Sequence, residues 1–109
     1  MTEQALFILA SLAQGELHGY GIARDVEELS DGQVKLTAGT LYGALNRLVS
    51  GGLIAETRER QVDGRRRRYY RLTGAGQTVL ADESARLQAK AAALSSRSAL
   101  RASRRPRPA

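Results

Sequence analysis

Between Thr37 and Leu72 a short amphipathic helix runs directly into a strand pair, and that succession limits what the chain can fold into more than any other feature. Thr37 stands where an N-cap oxygen is needed, Leu41, Leu45 and Leu48 recur on one face, and Gly51-Gly52 end the helix. Leu53 to Arg60 and Arg65 to Leu72 then flank Gln61-Val62-Asp63-Gly64, whose Asp-Gly pair is a strong hairpin signal. Stepping about 100° per residue from Leu41 turns Gly39, Gly43, Asn46 and Ser50 away from the core, with Tyr42 and Arg47 on the shoulders. A helix-interior Gly costs about 1 kcal/mol relative to Ala. Two on one outward face indicate that something approaches the backbone closely.

The flanking segments supply the rest of a small core. Thr2 caps a first helix in which Leu6, Leu9 and Ala13, with Ala5 and Leu12 beside them, recur at helical spacing until Gly15. After a His18-Gly19 corner, Ile22, Val26 and Leu29 form the buried stripe of a second helix that ends near Ser30-Asp31-Gly32. Val34-Lys35-Leu36 is long enough only for a short extended piece. In the second strand Tyr70 and Leu72 share a face that closes over the helices, while Arg65, Arg66 and Arg67 project near the tip. Thr73 caps a final helix. Leu80, Leu87 and Leu94 recur there every seven residues, opposite Ser84, Ala91 and Ser98. Half of that seam is small residues, so two such helices pack closely, helped by Leu6 and Leu9 of the first helix. From Ser95 the Ser/Arg/Ala/Pro composition indicates a fraying helix end and then a disordered basic tail.

A chain of 109 residues has room for one domain with one modest core, so extra stability is expected from self-association. Cysteine is absent, which excludes disulfides and thiolate metal sites and suits a reducing cytoplasm. The N-terminal apolar stretch lacks a cationic flank and is broken by Ser11, Gln14 and Gly15, which argues against export and membrane spanning. The net charge of +6 is polarised. Residues 1–31 carry one basic and six acidic groups, residues 32–71 nine basic and three acidic, and residues 97–109 five arginines and no acid. An acidic flank, a basic working surface and a basic tail point to a polyanionic partner. His18 is the sole histidine, and Asp25, Glu27, Glu28 and Asp31 have no matched partner that would define an active site. No catalytic residue, metal or cofactor is expected.

These residues resemble the PadR family of bacterial winged-helix transcriptional regulators over about Ala5 to Leu80. The matching pieces are Leu17-His18-Gly19-Tyr20-Gly21-Ile22, Gly39-Thr40-Leu41-Tyr42, Gly52-Leu53-Ile54, and Gly64-Arg65 through Tyr69-Tyr70-Arg71-Leu72-Thr73. Their order and spacing together are specific. The resemblance implies an α+β winged helix-turn-helix with a two-stranded wing and a long C-terminal dimerisation helix, of the short subfamily. On that plan residues 1–73 form the DNA-binding domain, 74–98 the dimerisation helix and 99–109 the tail. It also implies a homodimer joined through its last helices, binding a double-stranded, inverted-repeat operator. Members usually repress transcription and are released by a small-molecule effector, often aromatic or phenolic. The absence of Trp departs from relatives that stack a flat aromatic ligand at the dimer centre.

On this reading Thr37, Gly39, Thr40, Tyr42, Asn46 and Arg47 face the DNA groove, with backbone N–H groups at the helix end available to a phosphate. Asn46 pairs with an adenine edge or is simply solvated, depending on docking angle. Gly64, Arg65, Arg66 and Arg67 meet phosphates, two or three of the arginines in the run at once. The Tyr20 hydroxyl reaches a phosphate or packs on the third helix. His18 is expected to be hydrogen-bonded between the first two helices. The expected dimer surface comprises Leu6, Leu9, Leu80, Ser84, Leu87, Ala91 and Leu94. Two rival functions share these residues: a module whose basic wing docks on an acidic protein, and non-specific coating of nucleic acid by the arginine-rich tail.

Overall fold

The computed structural model describes residues 1–103, and the remainder of the expected basic tail lies outside the described residues. The chain runs α1 (Glu3–Ser11), a 3-10 turn (Leu12–Gln14), β1 (Leu17–His18), α2 (Gly19–Leu29), α3 (Ala38–Ser50), β2 (Ile54–Val62), β3 (Arg65–Leu72) and α4 (Gly74–Ser103). Each helix start has a side-chain cap. Thr2 accepts from the Ala5 N–H at 3.1 Å, Thr37 from Thr40 at 3.3 Å, and Thr73 from Gly76 at 3.0 Å. The cap of α2 is His18, whose Nδ1 accepts from the Gly21 N–H at 3.0 Å. His18, at the corner between the first two helices, therefore orders the start of α2.

The ends of α2 and α3 are closed by the same backbone device. Gly52 (φ 76°) carries the chain out of α3 while Leu53 N–H bonds to Leu48 O and Gly52 N–H to Val49 O. Asp31 (φ 52°) does the same for α2, with Gly32 N–H bonded to Glu27 O and Asp31 N–H to Glu28 O. Buried Ser30 completes that corner by accepting from the Val34 N–H at 2.9 Å.

Ile8, Leu9, Leu12, Ile22, Val26, Val34, Leu41, Ala44, Leu45, Leu48, Ile54 and Tyr70 form one buried cluster beneath the sheet. Leu41, Leu45 and Leu48 bury the expected stripe of α3, and Tyr70 closes over the helices from β3. Two residues depart from expectation. Leu29, the last residue of α2, is half exposed and does not join the buried stripe. Leu9 is fully buried among its own chain's side chains, so it has no surface to offer a second copy.

The wing is larger than the strand pair predicted. The sheet order is β1-β3-β2, with Leu17 opposite Tyr70 and His18 opposite Tyr69. Two residues before α2 thus form a third, antiparallel strand. A strand this short carries no alternation to detect, and only β3 completes it.

The final helix leaves the body in a fixed direction. The Thr73 hydroxyl donates to Gly52 O at 2.7 Å, Thr73 N–H bonds to Leu53 O at 3.1 Å, and Gly76 lies against that same Leu53 carbonyl. Any Cβ at Gly76 would collide with the carbonyl and with Leu72. Val79 and Leu80 pack on the core, and beyond the half-buried Glu83 α4 runs on with exposed side chains to Arg101 and Ala102. The helix continues to Ser103, five residues past the boundary expected from composition, so residues 99–103 are helical and not tail.

Gly76→Ala is expected to destabilise the protein by about 1–3 kcal/mol through this overpacking. Gly39→Ala, where nothing lies within 4 Å of an added Cβ, should leave stability unchanged or raise it by up to about 1 kcal/mol. Urea unfolding of both variants at one fixed protein concentration checks the contrast.

Candidate nucleic-acid interface

The outer face of α3 is bare. An added Cβ at Gly39 would meet nothing within 4 Å, and one at Gly43 would meet only the Arg47 guanidinium at 3.6 Å. Packing inside the chain therefore requires neither glycine, in contrast to Gly76, and the helix gives up propensity at both positions without an internal gain. At the N-terminal end the Thr37 hydroxyl accepts from the Thr40 N–H and donates to the Thr40 hydroxyl at 3.0 Å. Thr37, Gly39, Thr40, Asn46 and Arg47 are all exposed along this face.

The hairpin presents its arginines in two rows. Asp63 (φ 51°) and Gly64 (φ 75°) make the two-residue turn that Asp-Gly favours, which sets Val62 opposite Arg65, Gln61 opposite Arg66, Arg60 opposite Arg67 and Glu59 opposite Arg68. Thr57 forms an irregularity between Glu56 and Arg58, a bulge that bends β2 near its base. In one row Arg68 lies 3.3 Å from Glu59 and 3.8 Å from Glu56, and these carboxylates, Glu56 foremost, hold its guanidinium above the ordinary value. Arg66 makes only a loose 3.9 Å approach to Glu59 and its side chain is 81% exposed. Exposed pairs of this kind contribute little and exchange readily for another anion.

Arg67 belongs to the other row and behaves differently. Its guanidinium lies 5.7 Å from the Tyr20 ring centre and 3.4 Å from His18 Nδ1, and its Nε is buried without a hydrogen-bond partner. Unlike Arg65 and Arg66 it is not an exposed residue. Alternation along β3 sends it back toward α2.

Between α3 and the wing lies an open cleft of about 470 Å³ lined by His18, Gly19, Tyr20, Tyr42 and Arg65 to Arg68. It unites Tyr20, Tyr42 and the three wing arginines singled out from sequence. Thr37, Gly39, Thr40, Asn46 and Arg47 do not line it and continue the surface along α3. Tyr42 leans across the cleft so that its hydroxyl would come within 2.9 Å of any Cβ at Gly19. Sequence reasoning missed Gly19 and His18 as parts of this surface. Their relevant neighbours are 23 or more positions away, and the only local signal was the run Leu17-His18-Gly19-Tyr20 itself.

Aromatic and ionic contacts hold the wing root. His18 meets Tyr69 edge-on at 5.4 Å and stacks on Tyr20 at 6.3 Å, while Arg58 covers Tyr69 at 4.8 Å and Arg24 covers Tyr20 at 5.9 Å. Glu16 accepts from the Thr57 hydroxyl at 2.8 Å and from Arg58 Nε at 2.7 Å, tying the bulge to the segment before β1. The Thr57 hydroxyl, and then Arg58, hold the Glu16 carboxyl below its ordinary value of 4.5, against a partial desolvation that pushes the other way. For His18, burial first and Arg67 second push the imidazole below its ordinary 6.5. Both favour the neutral ring, whose Nδ1 lone pair the cap requires.

Three helices around a small core, a bare third helix and a cationic ribbon beside it constitute a winged helix-turn-helix. A model of the transcriptional regulator PadR-like family matches residues 8–82, and the chain belongs to that family. It is similar to Transcriptional regulator Rv3488 of Mycobacterium tuberculosis, at 40% identity over 76% of this chain and 74% of that one. Among solved structures it resembles a PadR family transcription regulator of Clostridium difficile with a TM-score of 0.74, at 27% identity over 87% of this chain and 97% of that one. It also resembles Bacillus subtilis PadR in complex with operator DNA, with a TM-score of 0.63 and 28% identity, over 72% of this chain and 44% of that longer one. The chain is thus a transcriptional regulator of PadR type and not an enzyme. Among the described residues no helix is long and apolar enough to cross a membrane.

The His18 cap makes stability acid-sensitive. Because the folded pKa is depressed, this contribution is fully present above about pH 6.5 and is lost as pH falls through the lower folded value. Urea midpoints are expected to drop on acidification between about pH 8 and about pH 5. His18→Asn, which keeps a capping acceptor but does not titrate, should flatten that dependence.

Proposed function

We propose that the chain acts as a homodimeric repressor in the bacterial cytoplasm, placing α3 of each protomer in a major groove of an inverted-repeat operator and each wing against the neighbouring backbone. The observation that carries this reading is the continuity of two surfaces. The bare glycine face of α3 passes through Tyr42 into the arginine-lined cleft, so one duplex can touch helix and ribbon together.

Thr37 and Gly39 present unpaired N–H groups of the α3 terminus to a phosphate, and the side chains of Thr40, whose own N–H the Thr37 cap takes up, and of Tyr42 reach base edges or sugar. Asn46 and Arg47 extend the contact along the helix. Gly64 lets the wing tip approach, Arg65 and Arg66 neutralise phosphates, and the Tyr20 hydroxyl, on a residue 60% exposed, adds a further contact from α2.

The second copy is proposed from α4. A 30-residue helix is about 45 Å long, and beyond Glu83 its side chains are exposed, including Leu87 and Leu94. Ser84 and Ala91 share the seam and permit close approach. Leu6, half-buried on α1, supplements the surface, as does the part of Leu80 that its own core leaves uncovered. Such a pair would set the two α3 helices about 34 Å apart, one DNA turn. A small-molecule effector that tilts α4 about its anchor at Thr73 and Gly76 would spoil that spacing and release the operator.

Fluorescence anisotropy on DNA from the protein's own upstream region, set against scrambled duplex across a salt series, tests the central claim. A preference of at least about 10³ at physiological salt is expected, and equal affinity for both duplexes would refute sequence-specific binding. Arg66→Gln should lower the magnitude of the salt slope by about one unit or less. Gly39→Leu should fold normally yet bind weakly, since only the approach of the duplex is obstructed. For the dimer, the double variant Leu87→Asp, Leu94→Asp is expected to sediment as a monomer and to lose most operator affinity; an unchanged sedimentation coefficient would remove α4 as the interface.

A further inference from the structure

We propose that Arg67 is a positioning residue, which with His18 forms a strut setting the pitch of the wing against α2, and that it does not itself contact DNA. The inference rests on the reading of this face as the DNA surface and assigns one of its arginines a different task.

The strut has three members. Arg67 springs from β3, its guanidinium lies over the Tyr20 ring, and its Nη1 donates to His18 Nδ1 at 3.4 Å. The same Nδ1 accepts from the Gly21 N–H at 3.0 Å. One imidazole lone pair thus receives a donor from the start of α2 and a donor from the middle of the wing. Across the ribbon, Arg67 stands opposite Arg60, so no carboxylate on β2 competes for it at that register. Arg68 and Arg66, on the other row, have Glu56 and Glu59. A guanidinium clamped between an aromatic ring and an imidazole, with its Nε sealed from solvent, is poorly placed to meet a phosphate outside.

The consequence is geometric. The hairpin is anchored at its base by β1 and by Glu16, but beyond Tyr69 the paired strands extend without further backbone support from the body. Arg67, two residues past that support, spans the cleft back to α2. Losing it would let the tip swing, changing the separation of Arg65 and Arg66 from α3 and so the fit to one duplex. The strut also needs neutral His18. The groups packed around that ring are Tyr20 on α2 and Tyr69 and Arg67 on β3, with Arg24 stacked on Tyr20 and Arg58 on Tyr69. All are aromatic or cationic, so a protonated imidazole would face donors and positive charge with no compensating anion, and the strut would open.

The test separates a strut from a phosphate contact. Operator affinity is measured across a salt series for wild type, Arg67→Gln, Arg67→Lys and Arg66→Gln. The His18 titration is followed by NMR without DNA, which is simple because the chain has one histidine. Arg67→Gln is expected to weaken operator binding about tenfold, the loss of a cation–π contact and one polar contact together, while the salt slope stays at the wild-type value. Arg67→Lys should not restore affinity, because an ammonium lacks the planar group that lies on Tyr20. In both variants the chain should remain folded, and in Arg67→Gln the His18 pKa should move up toward the ordinary value. A salt slope reduced as much as in Arg66→Gln, recovery of affinity by lysine, or an unmoved His18 titration would each overturn the proposal. Wild-type protein with no operator preference would instead overturn the DNA reading, and the His18 titration, read without DNA, would still decide the strut.

Discussion

Strand β3 is hydrogen-bonded on both edges, to β2 along the hairpin and to β1 at its base, and the rest of the working surface depends on that double pairing. A free two-stranded ribbon is marginal in water and has no fixed attitude to its neighbours. Here Leu17 and His18 belong to the helical body, so pairing them with Tyr70 and Tyr69 makes the wing root part of that body. Tyr70, almost fully buried on the same strand, fastens it from the core side.

From that joint α3 and the wing, the two surfaces proposed to meet DNA, inherit a common frame. His18 caps α2 and sits against Arg67, Gly19 makes room for Tyr42 of α3, and Glu16 holds the bulged start of β2. Four consecutive residues, Glu16 to Gly19, thereby touch α2, α3, β2 and β3. The surface contacts are individually weak, since exposed ion pairs and single cation–π contacts are each worth about 1 kcal/mol or less. Together they tie β2 and β3 to the segment from Glu16 to Tyr20.

The other end of the body solves a different problem. Thr73 and Gly76 set the beginning of α4 against the Gly52 and Leu53 carbonyls just past α3, so the exit angle of the long helix is coupled to the corner that ends the proposed recognition helix. A tilt of α4 must be transmitted to the Gly52–Leu53 corner. This gives a regulator with one small core a mechanical path between its proposed dimer seam and its proposed recognition helix, with no second domain required.

Much of this was legible in the chain itself. Local chemistry determined the helices and their caps at Thr2, Thr37 and Thr73, the buried stripe of α3, the bare glycine face and the Asp-Gly hairpin, because caps, periodicity and positive-φ turns depend on residues within four positions of one another. Tertiary structure decided everything that joins distant segments. Strand β1 exists only because β3 is beside it, Leu9 is core and not seam because the helices converge on it, and Leu29, at the end of α2, is left half exposed. Of the four wing arginines, sequence could count the charges but not apportion them: Arg66 and Arg68 meet carboxylates across β2, while Arg67 meets an imidazole 49 positions earlier. A side chain's partner is set by where the chain returns in space, and no local pattern carries that distance.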